Sequence, residues 1–302
     1  MTRARGRERL LASWRDSLIL AAGILPALLL GVAWMRHVGI PAAVYVQNVA
    51  AAIAGAAIAA SVSRRQVSPA GGRAMAVVVM LLLSATLLTE GVQGVHRWIR
   101  FGSLSIHVAS LSIPLLLAEL DRVLRRGQLP FAFCVMAVAT TILVIQPDAG
   151  QATAFAGSSV VLLGVHRKGD RPAMAGMLAL LALAGGSLLR SDPLAPVPHV
   201  EEIAVRIARE GAAAQAAVAV ALALLIVPFV VQPLTVSRSG GGAVAVYLAL
   251  VTAASYWGTF PVPVLGYGMA PIVGYFAGWG WLRATRRAGE HRRAPQGVGD
   301  SD

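Results

Sequence analysis

Ten apolar runs, each near the length that carries a helix across a bilayer, occupy most of this 302-residue chain. A hydrocarbon core of about 30 Å takes roughly 20 residues of helix. The runs fall at about 17–35, 43–61, 74–92, 104–120, 130–146, 151–166, 173–189, 212–235, 243–259 and 263–282. Within hydrocarbon every backbone amide and carbonyl must be satisfied inside the chain, so only helices and closed barrels span it. These runs are continuous Ala, Leu, Val and Gly rather than the alternating pattern of a barrel strand, which selects helices. The fold class is therefore all-α: a polytopic membrane protein with about ten transmembrane helices. Composition agrees. Only 13% of residues are charged and 57% are hydrophobic, against about 25% charged in a soluble domain. An ordinary soluble enzyme and a disordered chain are excluded.

The net charge of +12 does not point to nucleic acid, since its placement follows the apolar runs. With the N-terminus inside, segments 1–16, 62–73, 121–129, 167–172, 236–242 and 283–302 are cytoplasmic and hold twenty of the 26 basic residues. The other six are Arg36, Arg97, Arg100, Arg190, Arg206 and Arg209. A miscounted helix would invert this bias partway along the chain, and it does not invert. The positive-inside rule thus supports ten helices with both termini cytoplasmic. Residues 1–16 form a basic N-terminus and 17–282 the transmembrane domain, with outer loops at 93–103 and 190–211. The first run resembles a signal sequence but lacks a small-x-small cleavage site, and reads as an uncleaved helix. Residues 283–302 are polar, Arg- and Gly-rich, and predict a disordered tail. A lone cysteine, Cys134, rules out internal disulfides and cysteine metal sites.

Function is expected at the outer loops, because plain connectors are short and neutral. Residues 199–210 predict a short amphipathic helix lying at the outer surface, with Val200, Ile203 and Ile207 on its apolar face. Glu202, Arg206 and Arg209 share the charged face. Glu201 has no charged neighbour at helical spacing and sits between the two faces. Such a carboxylate is either an exposed loop residue or a cavity-facing group with a raised pKa, suited to general-base work. Arg97 and Arg100 flank Trp98 in the loop 94–103. They suit phosphate or pyrophosphate, or serve with Trp98 as interfacial anchors. Asp148, after Gln146 and Pro147, is either the N-cap of the sixth helix or a functional ionisable group at the membrane boundary. Glu90 is another such group. No HxH or HExxH spacing occurs among the six histidines, so no metal site is expected from the sequence. No P-loop is present.

Four stretches carry a family resemblance. Gly94–Gly102 (GVHRWIRFG) resembles the outer-loop G-x-x-RWI-x-x-G of the SEDS (FtsW/RodA/SpoVE) family of shape, elongation, division and sporulation proteins. Ile145–Ala152 (IQPDAGQA) is similar to its LQPDLGTA, Pro196–Ala212 (PVPHVEEIAVRIAREGA) to its PEAHTDFIFAIIGEELG, and Pro263–Ala270 (PVLGYGMA) to its PLISYGGS. The set runs in the family's order, over nearly the whole chain, on the family's ten-helix topology. The resemblance implies a peptidoglycan glycosyltransferase that polymerises lipid II on the outer face of the bacterial cytoplasmic membrane, in cell division or cell-shape control. It implies undecaprenyl-pyrophosphate-linked glycan as substrate and a class B penicillin-binding protein as partner, with no nucleic acid. Glu201 takes the place of the aspartate in the family's HTD triplet and is the expected catalytic base. Arg97, Trp98, Arg100, Gln146, Asp148 and His199 are the expected substrate-binding residues. The resemblance also admits a divalent cation, Mg or Mn, at the pyrophosphate.

The chain departs from the family at its fourth helix. The QPSE motif and following lysine become His107-Val108-Ala109-Ser110 and Ile113, which removes an acid and a base together. Two other functions therefore stay open from the residues: a flippase or transporter of a lipid-linked cell-wall precursor, and a non-catalytic membrane scaffold that regulates a cell-wall synthase.

Overall fold

The structure is a computed structural model. It describes residues 2–102, 104–190, 192–231, 238–257 and 260–293; for 2–14, 238, 257 and 286–293 it describes the backbone alone. Among the described residues ten long helices appear in the expected order: α1 (Thr2–His37), α2 (Ala42–Ser63), α3 (Pro69–Thr86), α4 (Val108–Arg125), α5 (Leu129–Ile145), α6 (Ala149–His166), α7 (Arg171–Ser187), α9 (Ala212–Val230), α10 (Arg238–Trp257) and α11 (Met269–Arg293). A six-residue helix, α8 (Ile203–Ala208), and a hairpin of β1 (Trp98–Phe101) and β2 (Leu104–His107) complete it. The protein is an all-α polytopic membrane protein. Among the described residues, five helices are long and apolar enough to cross a membrane: 15–37, 42–63, 69–86, 212–230 and 239–256.

Several boundaries differ from the sequence expectation, each for a local reason. The third run ends as helix at Thr86, which leaves Glu90 exposed beyond it. The fourth helix starts at Val108 rather than 104, because 104–107 pairs as a strand with 98–101; Gly102, at φ +59°, makes the reversal. The surface helix expected over 199–210 is helical only over Ile203–Ala208. Its apolar residues Ile203 and Ile207 are buried as expected. At the termini the charged stretches are helical as well. The basic segment 2–16 continues directly into α1, and α11 runs through the expected tail to Arg293. Asp16 and Arg283 join those two extensions in a buried ion pair. Residues 232–235 of the eighth run and 294–302 of the tail lie outside the described residues.

Helix α4 is the axis of the bundle. All but three of its residues are buried, and it packs against α3, α5, α6, α10 and α11. At its inner end the charges are paired: Arg122 to Glu119 at 2.7 Å, and Arg125 and His166 to Asp121 at 2.9 Å each. Trp281 on α11 donates to Glu119 at 3.0 Å. Small residues let α11 lie directly on α4, as is common between helices in lipid. A Cβ at Gly274 would stand 2.2 Å from the Ser110 carbonyl oxygen. Gly274→Ala is therefore expected to lower stability by about 1–3 kcal/mol. Gly164→Ala, whose added methyl meets open space, should leave it unchanged. Thermal unfolding in detergent micelles checks the pair.

Candidate functional site

The outer ends of α4, α5 and α6 are tied together by one arginine. Arg97 immediately precedes β1, and the hairpin folds it inward until only 3% of it is exposed. Its Nη2 lies 2.7 Å from Asp192 Oδ2, in the loop after α7, and also donates to the carbonyl of Pro147. Its Nε lies 3.9 Å from Asp148 Oδ2. Asp148 caps α6 by accepting from the Gln151 amide at 3.2 Å. A charge buried this far must be neutralised inside the protein, and two carboxylates from two connections do so. Burial works against ionisation of Asp148. Arg97, His107 and the Gln151 amide outweigh it and hold the carboxyl below its ordinary range.

A hydrogen-bonded line runs from this cluster into the bundle. His107 caps α4: its Nδ1 accepts from the Ser110 amide at 3.2 Å, which places the ring proton on Nε2, 3.2 Å from Asp148 Oδ2. Ser110 Oγ lies 3.0 Å from the same Nδ1. Gln151 donates to Ser110 Oγ at 3.0 Å and accepts from Tyr247 on α10 at 2.6 Å.

Glu201 stands at the edge of the cluster, in the turn before α8. Its Oε2 accepts from the Val197 amide at 2.8 Å. Burial pushes its carboxyl above the ordinary range, against the opposing pull of the Val197 amide and Arg97. It is set apart by this turn, and not by its place on a helical wheel. Glu201 lines a cavity of about 170 Å³ with Glu202, Arg206, Arg209 and Ser255. Glu202 and Arg206 pair at 2.7 Å, as their spacing predicts.

The other expected site residues are placed as follows. Trp98 packs edge-on against His107, with ring centroids 5.8 Å apart. Arg100 is exposed on β1, away from the cluster, because alternate strand residues face opposite sides. Gln146 is buried against α3, donating to Thr86 Oγ1 at 2.6 Å and the Leu83 carbonyl at 3.0 Å; it braces α5. His199 rests near Tyr267, with centroids 6.1 Å apart, and its partial burial lowers the ring pKa. Glu90 is exposed. Asp192, Ser110, Gln151 and Tyr247 did not stand out in the sequence. The signal that could have found Asp192 is the need of Arg97, if buried, for an outer-face acid.

The donor set does not suit a divalent cation. Among the described residues no three His, Cys, Asp or Glu side chains converge, and Asp148 and Asp192 both turn to Arg97.

No protein-family model matches the chain, and no curated protein matches it in sequence. Solved structures do match. The rod shape determining protein RodA of Thermus thermophilus superposes with a TM-score of 0.66 at 18% identity, covering 91% of this chain and 96% of that one. A mutant of the same protein gives a TM-score of 0.68 at 17% identity, covering 91% and 97%. A chain from a peptidoglycan synthase complex that coordinates polymerization and crosslinking gives 0.66 at 16%, also covering 91% and 97%. The chain has the RodA-like, SEDS-type fold.

Asp148→Asn would leave Arg97 with Asp192 alone. Removing one partner of a buried pair costs about 3–5 kcal/mol, and the surviving Asp192 contact sets the expectation near about 3. Because the folded pKa of Asp148 is depressed, its contribution is present above the ordinary carboxylate range and is lost as pH falls through the folded value. Melting temperature against pH should show this acid-side loss in the wild type and not in the variant.

Proposed function

We propose that this protein is a divergent SEDS glycosyltransferase that polymerises lipid II on the outer face of the bacterial cytoplasmic membrane, with Glu201 as its general base. The observation that carries this reading is the partly buried Glu201 carboxyl, its pKa raised, in the wall of an outer cavity that also holds two arginines. The likeness of fold to RodA supports the same reading. A base of raised pKa is matched to taking a proton from a hydroxyl near neutral pH.

Glu201 accepts the proton of the acceptor sugar's C4 hydroxyl. That oxygen forms a bond to C1 of the donor as the bond from C1 to the pyrophosphate breaks, and undecaprenyl pyrophosphate leaves with the electron pair. Arg206 and Arg209, which share the cavity with Glu201, stabilise the charge on the leaving group. The sequence suggested Arg97 and Arg100 for this role. Arg97 is committed to Asp192 and Pro147, and acts by fixing the loop that carries the site; Arg100 projects elsewhere. No step is routed through a metal ion, because Asp148 and Asp192 turn to Arg97 and Glu202 pairs with Arg206. The synthase complex whose chain shares this fold supports a partner synthase, and the partner proposed is a class B penicillin-binding protein.

The test is lipid II polymerisation by the purified protein, alone and with its partner. Glu201→Gln should lose about 10²–10⁴-fold in rate, the contribution of a general base, while Glu201→Asp retains measurable activity. Wild-type rate should rise with pH through the folded pKa of Glu201, so the acid limb lies above the ordinary carboxylate range. Equal product from the wild type and Glu201→Gln overturns the assignment. No product from the wild type with its partner present favours the scaffold or the flippase.

A further inference from the structure

A second cavity lies at the opposite end of the molecule. It has a volume of about 560 Å³ and is bounded by α1, α2 and α11. This is the size of a small-molecule site. Its walls are apolar side chains such as Leu25, Ile53 and Phe276, with Ala56 and Ala60 of α2 leaving the space open. Leu25, Leu29 and Ile53 are 43%, 60% and 69% exposed, so the cavity opens sideways to the lipid rather than into the core.

One end of this groove is polar. Ser17, Ser63, Arg64 and Arg283 line it there. The lining of α2 runs from Val49 to Arg64, about 22 Å at 1.5 Å per residue, and Arg64 caps the cytoplasmic end of that helix. The groove therefore runs about three quarters of the way across a 30 Å hydrocarbon core and ends at the inner headgroup level. Asp16 neutralises Arg283. Arg64 and its neighbour Arg65 are both exposed, with no ion-pair partner among the described residues. The end of the groove carries net positive charge.

We propose that this groove is a binding site for an anionic phospholipid of the inner leaflet, with an acyl chain between α1 and α2 and the headgroup phosphate at Arg64 and Arg65. Basic pockets between transmembrane helices on the cytoplasmic side recognise anionic headgroups in this way. The arginines supply the selectivity and the apolar cleft the retention. The inner leaflet is richer in such lipids than in any free phosphate able to fill an apolar cleft. The site is independent of the outer-face chemistry, so either can fail without the other.

Native mass spectrometry of the full chain tests it, with protein released from nanodiscs of equal phosphatidylglycerol and phosphatidylcholine. The wild type should retain phosphatidylglycerol at least about tenfold over phosphatidylcholine, a difference of about 1.4 kcal/mol. Ala56→Trp fills the groove from an exposed position, so it spares the fold, and it should abolish retention. Arg64→Gln with Arg65→Gln should keep a retained lipid and lose the preference. Equal retention of both lipids by the wild type overturns the proposal. So does undiminished phosphatidylglycerol in the Ala56→Trp protein, or capture of a partner's helix in the groove without lipid.

Discussion

The outer face depends on neutralising one buried guanidinium. Arg97 carries a full charge into a place with almost no water, and it is tolerable there only with counter-charge and hydrogen-bond acceptors in fixed positions. Asp192 supplies one counter-charge, Asp148 another, and Pro147 an acceptor. Each belongs to a different connection from the hairpin that holds Arg97. The arginine therefore locks three outer segments whose ends would otherwise be independent. Asp148 in turn starts α6, and through His107, Ser110 and Gln151 the same line reaches Tyr247 on α10. The Glu201 turn is itself held by backbone hydrogen bonds from Val262 to Val200 and from Tyr267 to His199.

The ten helices were legible in the sequence because the bilayer allows few alternatives. Apolar run length and arginine placement each select the same count, and they are independent of tertiary contact. What the runs do not show is where a helix yields to local geometry. Residues 104–107 are as apolar as the helix that follows, and only their pairing with 98–101 makes them a strand. The charged ends of α1 and α11 look like solvated tails until Asp16 and Arg283 are seen to meet. Asp192 was missed for a related reason. Its function lies in Arg97, 95 residues away, and no local pattern marks it. Glu201 stood out, yet its helical setting was misread; the residue sits in a turn, held by the Val197 amide.

The departures from the family motif fit the same electrostatic logic. Where the family carries an acid and a lysine on its fourth helix, this chain has an N-capping imidazole and a fully buried Ile113. Removing both members of a charged pair leaves no orphaned charge, and can be neutral or stabilising. On the outer face Arg97 carries the buried charge, and the Glu201 cavity gathers a second, more exposed group of charges. Arg97 holds the architecture there, and the chemistry we propose belongs to Glu201 with Arg206 and Arg209, which line one cavity.

The most direct measurement is a structure of the protein in nanodiscs with lipid II bound. The acceptor's C4 oxygen is expected at about 2.6–3.2 Å from a Glu201 carboxylate oxygen, and the donor's pyrophosphate against Arg206 and Arg209. A pyrophosphate seated at Arg100, or anywhere in the cytoplasmic half of the bundle, would contradict it.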